Sequence, residues 1–240
     1  MLFRSQFTCA RLSLDLECLS AAAGTDTTVT IGRKNTSTAT LPNDFTLSST
    51  TIIITGGNTT GTATLTAVQD ALDEDNETAI IEITGVSGGD GATESGTQEA
   101  TVTITDDDTA GVTVTQTGGT TTLTEGGATD TYTVVLTTQP TANVTITLTP
   151  DSQSTTSPTS LVFTSANWNV AQTVTVTAVN DSIVEGNHSS TIQHTATSGD
   201  ANYNGLSIGS VIASLTDDDT AGVTVTQTGG TTTLTEGGAT

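Results

Sequence analysis

The feature that most constrains this chain is a stretch it contains twice. TDDDTAGVTVTQTGGTTTLTEGGAT occupies residues 105–129 and recurs unchanged at 216–240, an offset of 111 residues. A period of that length is too long for a solenoid unit and matches one small domain, so the chain reads as part of a tandem array of self-contained modules. The acidic stretch lies at each junction. Each module must bury its own core.

Between these markers the sequence alternates. GVTVTQ (111–116) with TTL (121–123), TYTVVLTT (131–138), NVTITLT (143–149), SLVFT (160–164), QTVTVTAV (172–179), SSTIQHTAT (189–197) and LSIGSVIASLT (206–216) read as strands A to G, separated by Gly, Asn, Asp and Pro turn signals. Seven short strands make an antiparallel, immunoglobulin-like β-sandwich. The preceding segment repeats the second half of this pattern at the same offset: TTVTIGR (27–33), STTIIIT (49–55), GTATLTAV (61–68), TAIIEIT (78–84) and EATVTIT (99–105) read as strands C to G. The fold class is thus all-β, a tandem array of sandwiches. Residues 25–108 read as a truncated module, 109–219 as a complete one and 220–240 as the start of a third.

Residues 1–24 stand outside the repeat. They hold both cysteines, Cys9 and Cys18, and the only Met, and they lack the threonine alternation of a chain that is roughly a quarter threonine. Arg11, Asp15 and Glu17 interrupt the apolar stretch, so it does not make a signal peptide. The segment reads as an aberrant N-terminus without strands of the repeat, and its cysteines imply no disulfide framework for the array. No apolar run approaches transmembrane length.

If successive strands run antiparallel, A, C, E and G all finish at one tip of the sandwich. Acids follow each of them: Glu125 after A, Asp151 after C, Asp181 and Glu185 after E, and Asp217, Asp218 and Asp219 after G. In the first module Asp44 follows C, Asp70, Glu74 and Glu77 follow E, and Asp106, Asp107 and Asp108 follow G. Carboxylates gathered this way repel one another by about 1 kcal/mol or more per close pair. A divalent cation removes that repulsion. The formal net charge of −22 excludes nucleic acid and anionic membrane as partners and makes cations the natural counterpart. All-oxygen ligands at irregular spacing suit calcium better than octahedral magnesium. No EF-hand is present, because counting from Asp73 puts Thr78 where the loop needs Gly and Thr84 where it needs Glu. GGDGAT (88–93) matches the calcium β-helix nonapeptide only in part.

NDFTLSSTTIIITGGNTTGTATLTAVQDALDEDNETAIIEITG with TVTITDDD in the first module, and LTEGG, SLVFTSANWNVAQTVTVTAVNDSIVEG and SLTDDD in the second, resemble the Calx-beta domain, a calcium-binding sandwich of sodium/calcium exchangers and large bacterial surface proteins. The resemblance covers residues 25–240. It implies calcium held at the tip by the A–B loop Glu (Glu125, Glu236), the C–D loop Asp (Asp44), the E–F acids (Asp70, Glu74, Glu77; Asp181, Glu185) and the terminal runs (Asp106, Asp107, Asp108; Asp217, Asp218, Asp219). Two departures weaken the pattern. Gln69 and Asn180 stand where the family often has a further Asp, and in the second module TTSPTS replaces the C–D acid while His188 stands where the first has Glu77. Fewer charged ligands mean weaker binding, so one or two ions are expected there. His188 and His194 read as a loop and a strand residue, with no Cys or third His nearby to make a zinc site.

No nucleophile elbow and no Cys-His or Ser-His-Asp set accompanies the acids, so no enzymatic activity is expected. The expected function is that of a calcium-binding segment of a large extracellular or cell-surface protein, membrane-associated through other parts. Calcium would rigidify the array for adhesion or cell communication, with adjacent repeats as partners. The alternatives are a metal-independent spacer and a module that binds glycans or another cell-surface ligand. Against the metal, an Asp run between domains can simply be a solvated linker capping turn amides.

Overall fold

The computed structural model describes residues 2–8, 11–17, 19–227, 229, 230 and 236. They fall into two compact units, Met1–Ala110 and Gly111–Thr240. The described elements are strands and a single 3-10 turn. None is a helix long and apolar enough to cross a membrane.

The first unit is built from β1 (Leu2–Thr8), β2 (Arg11–Glu17), β3 (Thr27–Arg33), β4 (Phe45–Leu47), β5 (Thr51–Ile54), β6 (Thr60–Ala67), β7 (Glu77–Gly88) and β8 (Glu99–Ile104). One sheet has the order β1-β2-β6-β4 and the other β5-β3-β7-β8. Alternation along the strands aims one face inward. Val29, Ile31, Phe45, Ile52, Ile54, Leu65, Ile81 and Ile83 meet in one core. Each such side chain contributes about 1.5–3 kcal/mol by leaving water.

β1 and β2 correct the reading of residues 1–24. Their backbones form an antiparallel hairpin in which β2 pairs with β6 from Arg11↔Thr66 to Glu17↔Thr60. The segment therefore fills the A and B positions of the sandwich despite its foreign composition. A sheet edge accepts any extended chain of the right length, because the pairing is made by backbone groups.

The second unit contains β9 (Val112–Gln116), β10 (Thr121–Thr124), β11 (Asp130–Leu136), β12 (Val144–Pro150), β13 (Ser154–Ser157), β14 (Ser160–Phe163), β15 (Gln172–Ala178), β16 (His188–Ser198) and β17 (Val211–Thr216). Its sheets are ordered β10-β17-β16-β12-β14 and β13-β15-β11-β9. Tyr132, Val134, Val144, Ile146, Phe163, Val174, Val176 and Ile192 are wholly buried between them. Tyr203 adds a polar anchor at 1% exposure: its hydroxyl accepts from the Thr138 amide and donates to the Thr138 carbonyl, at 3.1 and 2.8 Å.

Three boundaries differ from the alternation pattern. The first strand is divided: β9 pairs antiparallel with β11, then a 3-10 turn at Thr117–Gly119 carries the chain to the other sheet, where β10 pairs parallel with β17. Gly118 and Gly119 take φ of +68° and +89°, values open to glycine at little cost, and so permit the crossing. TTSPTS yields an additional strand, β13, paired with β15. The last strand begins at Val211, not at residue 206.

Residues 222–227 repeat the letters of 111–116, yet only the first copy is a strand. The difference lies in partners. β9 has β11 beside it, whereas Val223 and Val225 stand 93% and 86% exposed.

Candidate metal centre

Parallel pairing of β10 with β17 creates the tip of the second unit. Thr124 lies opposite Thr216, and the Glu125 amide donates to the Thr216 carbonyl at 3.0 Å. Glu125 and Asp217 therefore leave adjacent strands side by side; an antiparallel pair would have sent them to opposite ends. Ligand atoms of Glu125, Asp217, Asp218 and Asp219 lie within 4.8 Å of one another.

The acids at this tip divide by what their oxygens already do. Asp217 accepts from the amides of Glu185, Gly186 and Asp219 at 2.8, 2.6 and 2.8 Å. The Asp219 and Gly186 amides lead in holding its carboxyl below the ordinary value. Asp181 accepts from the Ile183 amide at 2.7 Å and so closes its own turn. Asp151 is likewise occupied, by Ser190 and the amides of Thr191 and Gln153. Burial works to raise its pKa, but these bonds prevail and lower it.

Glu125 and Asp219 are different. Glu125 is 2% exposed and its Oε2 has no hydrogen-bond partner; Oδ2 of Asp219 is also buried and without one. Burial, reinforced by Asp217 and Asp181, pushes the Glu125 carboxyl up, and burial with Asp217 and Asp218 does the same to Asp219. A buried carboxylate oxygen without a donor is costly unless a cation meets it. The turn after Glu125 is shaped to this cluster. Gly126 has φ +59°, and a Cβ there would stand 3.2 Å from Asp218 Oδ2.

In the first unit one concavity is lined by Asp44, Asp70, Glu74, Glu77, Asp106, Asp107 and Asp108, every acid the sequence singles out in that module. The backbone logic repeats 111 residues earlier. Asp70 accepts from the Leu72 amide, and Asp106 accepts from those of Glu74 and Asp108. Burial first, then Asp70 and Asp44, push Glu74 up. Burial and Asp44, to which Glu77 is hydrogen-bonded, push Glu77 up. Asp108 is raised by burial and then by Asp107 and Asp106. Gln69 donates to Asp107 at 2.9 Å and thus supports the acids as an amide. No counterpart of β10 pairs with β8 among the described residues, so this tip lacks an equivalent of Glu125. Glu236 is exposed, and residues 231–235 before it lie outside the described residues.

One residue escaped the sequence reading. His188, expected to be a surface loop residue, has a buried Nε2 without a hydrogen-bond partner, and its ring joins Glu125 and Glu185 in a second cluster. The only available signal was its position 111 residues after Glu77.

No curated protein sequence matches significantly. Solved structures align at low identity, among them the periplasmic chaperone SfaE (9% identity, 45% of this chain, 57% of that one, TM-score 0.34), CBD12 from CALX1.2 (15%, 87% and 94%, TM-score 0.36) and the calcium binding domain CBD12 of CALX1.1 (17%, 78% and 74%, TM-score 0.36). The model of the Calx-beta domain matches residues 9–108 and 122–227. With both β-sandwich units matched in tandem, the chain belongs to the Calx-beta domain family.

Proposed function

We propose that this chain is a calcium-binding repeat segment of an extracellular or cell-surface protein, in which each sandwich tip takes up calcium and stiffens the array for adhesion or cell communication. Glu125 carries the reading. Its carboxylate is buried with one oxygen free and faces Asp217, Asp218 and Asp219. In the second unit Glu125, Asp217, Asp218 and Asp219 would hold the ion, with Asp181 and Glu185 at its edge; in the first, Asp44, Asp70, Glu74, Glu77 and Asp106 to Asp108 would do so.

The proposed action is electrostatic. A divalent ion cancels the mutual repulsion of the acids, and because the run 106–108 immediately precedes the boundary at Ala110, an ion there immobilises the start of the connection. External calcium is millimolar, which suits sites with a modest charge count. A metal-independent spacer is favoured by the acids whose oxygens are already capped, Asp70, Asp106, Asp181 and Asp217. It leaves Glu125 and Asp219 unexplained. The test is calorimetric titration of the whole chain, freed of metal, with calcium and separately with magnesium. Calcium-selective heat with a raised melting temperature is expected, and no binding at millimolar calcium overturns the proposal in favour of the spacer.

A further inference from the structure

We propose that His188, Glu125 and Glu185 form a nitrogen-containing site for a zinc-class divalent ion in the second unit, beside the all-oxygen calcium position. The ligand atoms of these three residues lie within 4.8 Å of one another. The tautomer of His188 follows from its neighbour. Nδ1 is 2.8 Å from the Gly186 carbonyl oxygen, which can only accept, so Nδ1 is a donor and Nε2 is the ring nitrogen left to meet a metal. That nitrogen is shielded from water and has no hydrogen-bond partner. It lies 3.7 Å from Glu185 Oε2, beyond hydrogen-bond reach and close to the spacing of two donors on one ion.

Two further features mark a prepared site. Gln153 Nε2 donates to both oxygens of Glu185, at 3.0 and 2.9 Å, and so fixes the carboxylate. The Gly186 carbonyl does the same for the imidazole, the outer support that metal-bound histidines need. Glu125, 2% exposed and with Oε2 unpartnered, supplies the third donor. One imidazole and two carboxylates suit zinc at Zn–N of about 2.0–2.1 Å, with water completing the tetrahedron, while calcium prefers oxygen alone. His194, the other histidine, cannot serve. Its Nε2 meets the Tyr132 hydroxyl at 3.0 Å and its Nδ1 the Gly209 carbonyl at 2.8 Å. The first unit has Glu77 where the second has His188, so the two units would differ in ion preference.

The proposal goes beyond the calcium reading, shares Glu125 and Glu185 with it and differs from it in His188. The test uses the whole chain, stripped of metal and with Cys9 and Cys18 alkylated, titrated with zinc chloride by calorimetry and with cobalt chloride by visible absorption. Wild type should bind zinc and show cobalt bands of low-coordinate, nitrogen-bound metal. His188→Gln should weaken zinc at least tenfold while keeping its metal-free melting temperature and its calcium response, and Glu185→Gln should weaken zinc with the ring intact. Equal zinc binding by wild type and His188→Gln, or no zinc binding by wild type, overturns the site. Loss of all calcium response with His188-dependent zinc binding retained would sink the calcium reading alone and support this one.

Discussion

Glu125→Gln separates a metal ligand from a structural hydrogen-bonding residue, because the two roles predict opposite signs without calcium. The side chain is 2% exposed, its Oε2 has no donor, and Asp217, Asp218 and Asp219 present carboxylate oxygens within 4.8 Å. Replacing the charge with an isosteric amide relieves that repulsion, so the metal-free variant should melt at or above the wild-type temperature. With calcium the order reverses. An ion at a hundredfold excess over its dissociation constant stabilises the folded state by about 2.7 kcal/mol. If loss of this carboxylate weakens binding a hundredfold, the same calcium concentration equals the dissociation constant, and roughly 0.4 kcal/mol remains by the same relation. For a domain of this size, about 4 °C per kcal/mol turns this into a calcium-induced shift of about 10 °C for the second unit in wild type and about 2 °C in the variant. Scanning calorimetry with EDTA and with calcium reads both. A variant that melts several degrees lower in EDTA and keeps the full calcium shift would refute the argument.

The acid runs should not behave uniformly. Asp219→Asn should leave the metal-free melting temperature unchanged or raised and reduce the calcium shift, whereas Asp217→Asn should lower it in EDTA as well, since Asp217 anchors three amides; paired thermal melts distinguish them. Gly126→Ala, which puts a methyl 3.2 Å from Asp218 Oδ2 at a φ of +59°, should weaken calcium binding by calorimetry. The pH dependence follows from two sets of carboxyls. Glu74, Glu77, Asp108, Glu125 and Asp219 are raised above 4.5 or 3.8, so the folded metal-free chain binds more protons there than the unfolded one; their stabilisation is complete below those values and lost as pH rises through the raised ones. Asp151, Asp200 and Asp217 are lowered from 3.8; their stabilisation is present above 3.8 and lost as pH falls through the lowered values. Melting in EDTA should therefore peak at mildly acid pH, and calcium should restore the neutral side. Finally, Tyr203→Phe leaves the buried Thr138 amide and carbonyl without their partner and should cost about 1–3 kcal/mol in urea denaturation.

The repeat and the alternation determined most of the architecture. Val144 to Leu148 and Val174 to Val176 put apolar side chains at every second position, and a period of two in a chain without helical patterning has only a sandwich to build. Acids that follow successive same-direction strands must share a tip, so their grouping was legible from order alone. What escaped was pairing, which depends on partners distant in sequence. GVTVTQ forms a strand at 111–116 and none at 222–227, because only the first copy lies beside another strand. Residues 1–24 looked foreign, yet β1 and β2 joined the sheet through backbone bonds that ignore side-chain identity. The parallel register of β10 on β17 set Glu125 against the Asp run, and the course of the chain between β15 and β16 brought His188 to the same carboxylate. Letters fix which faces are apolar; only the folded chain decides which polar atoms meet and which are left without a partner.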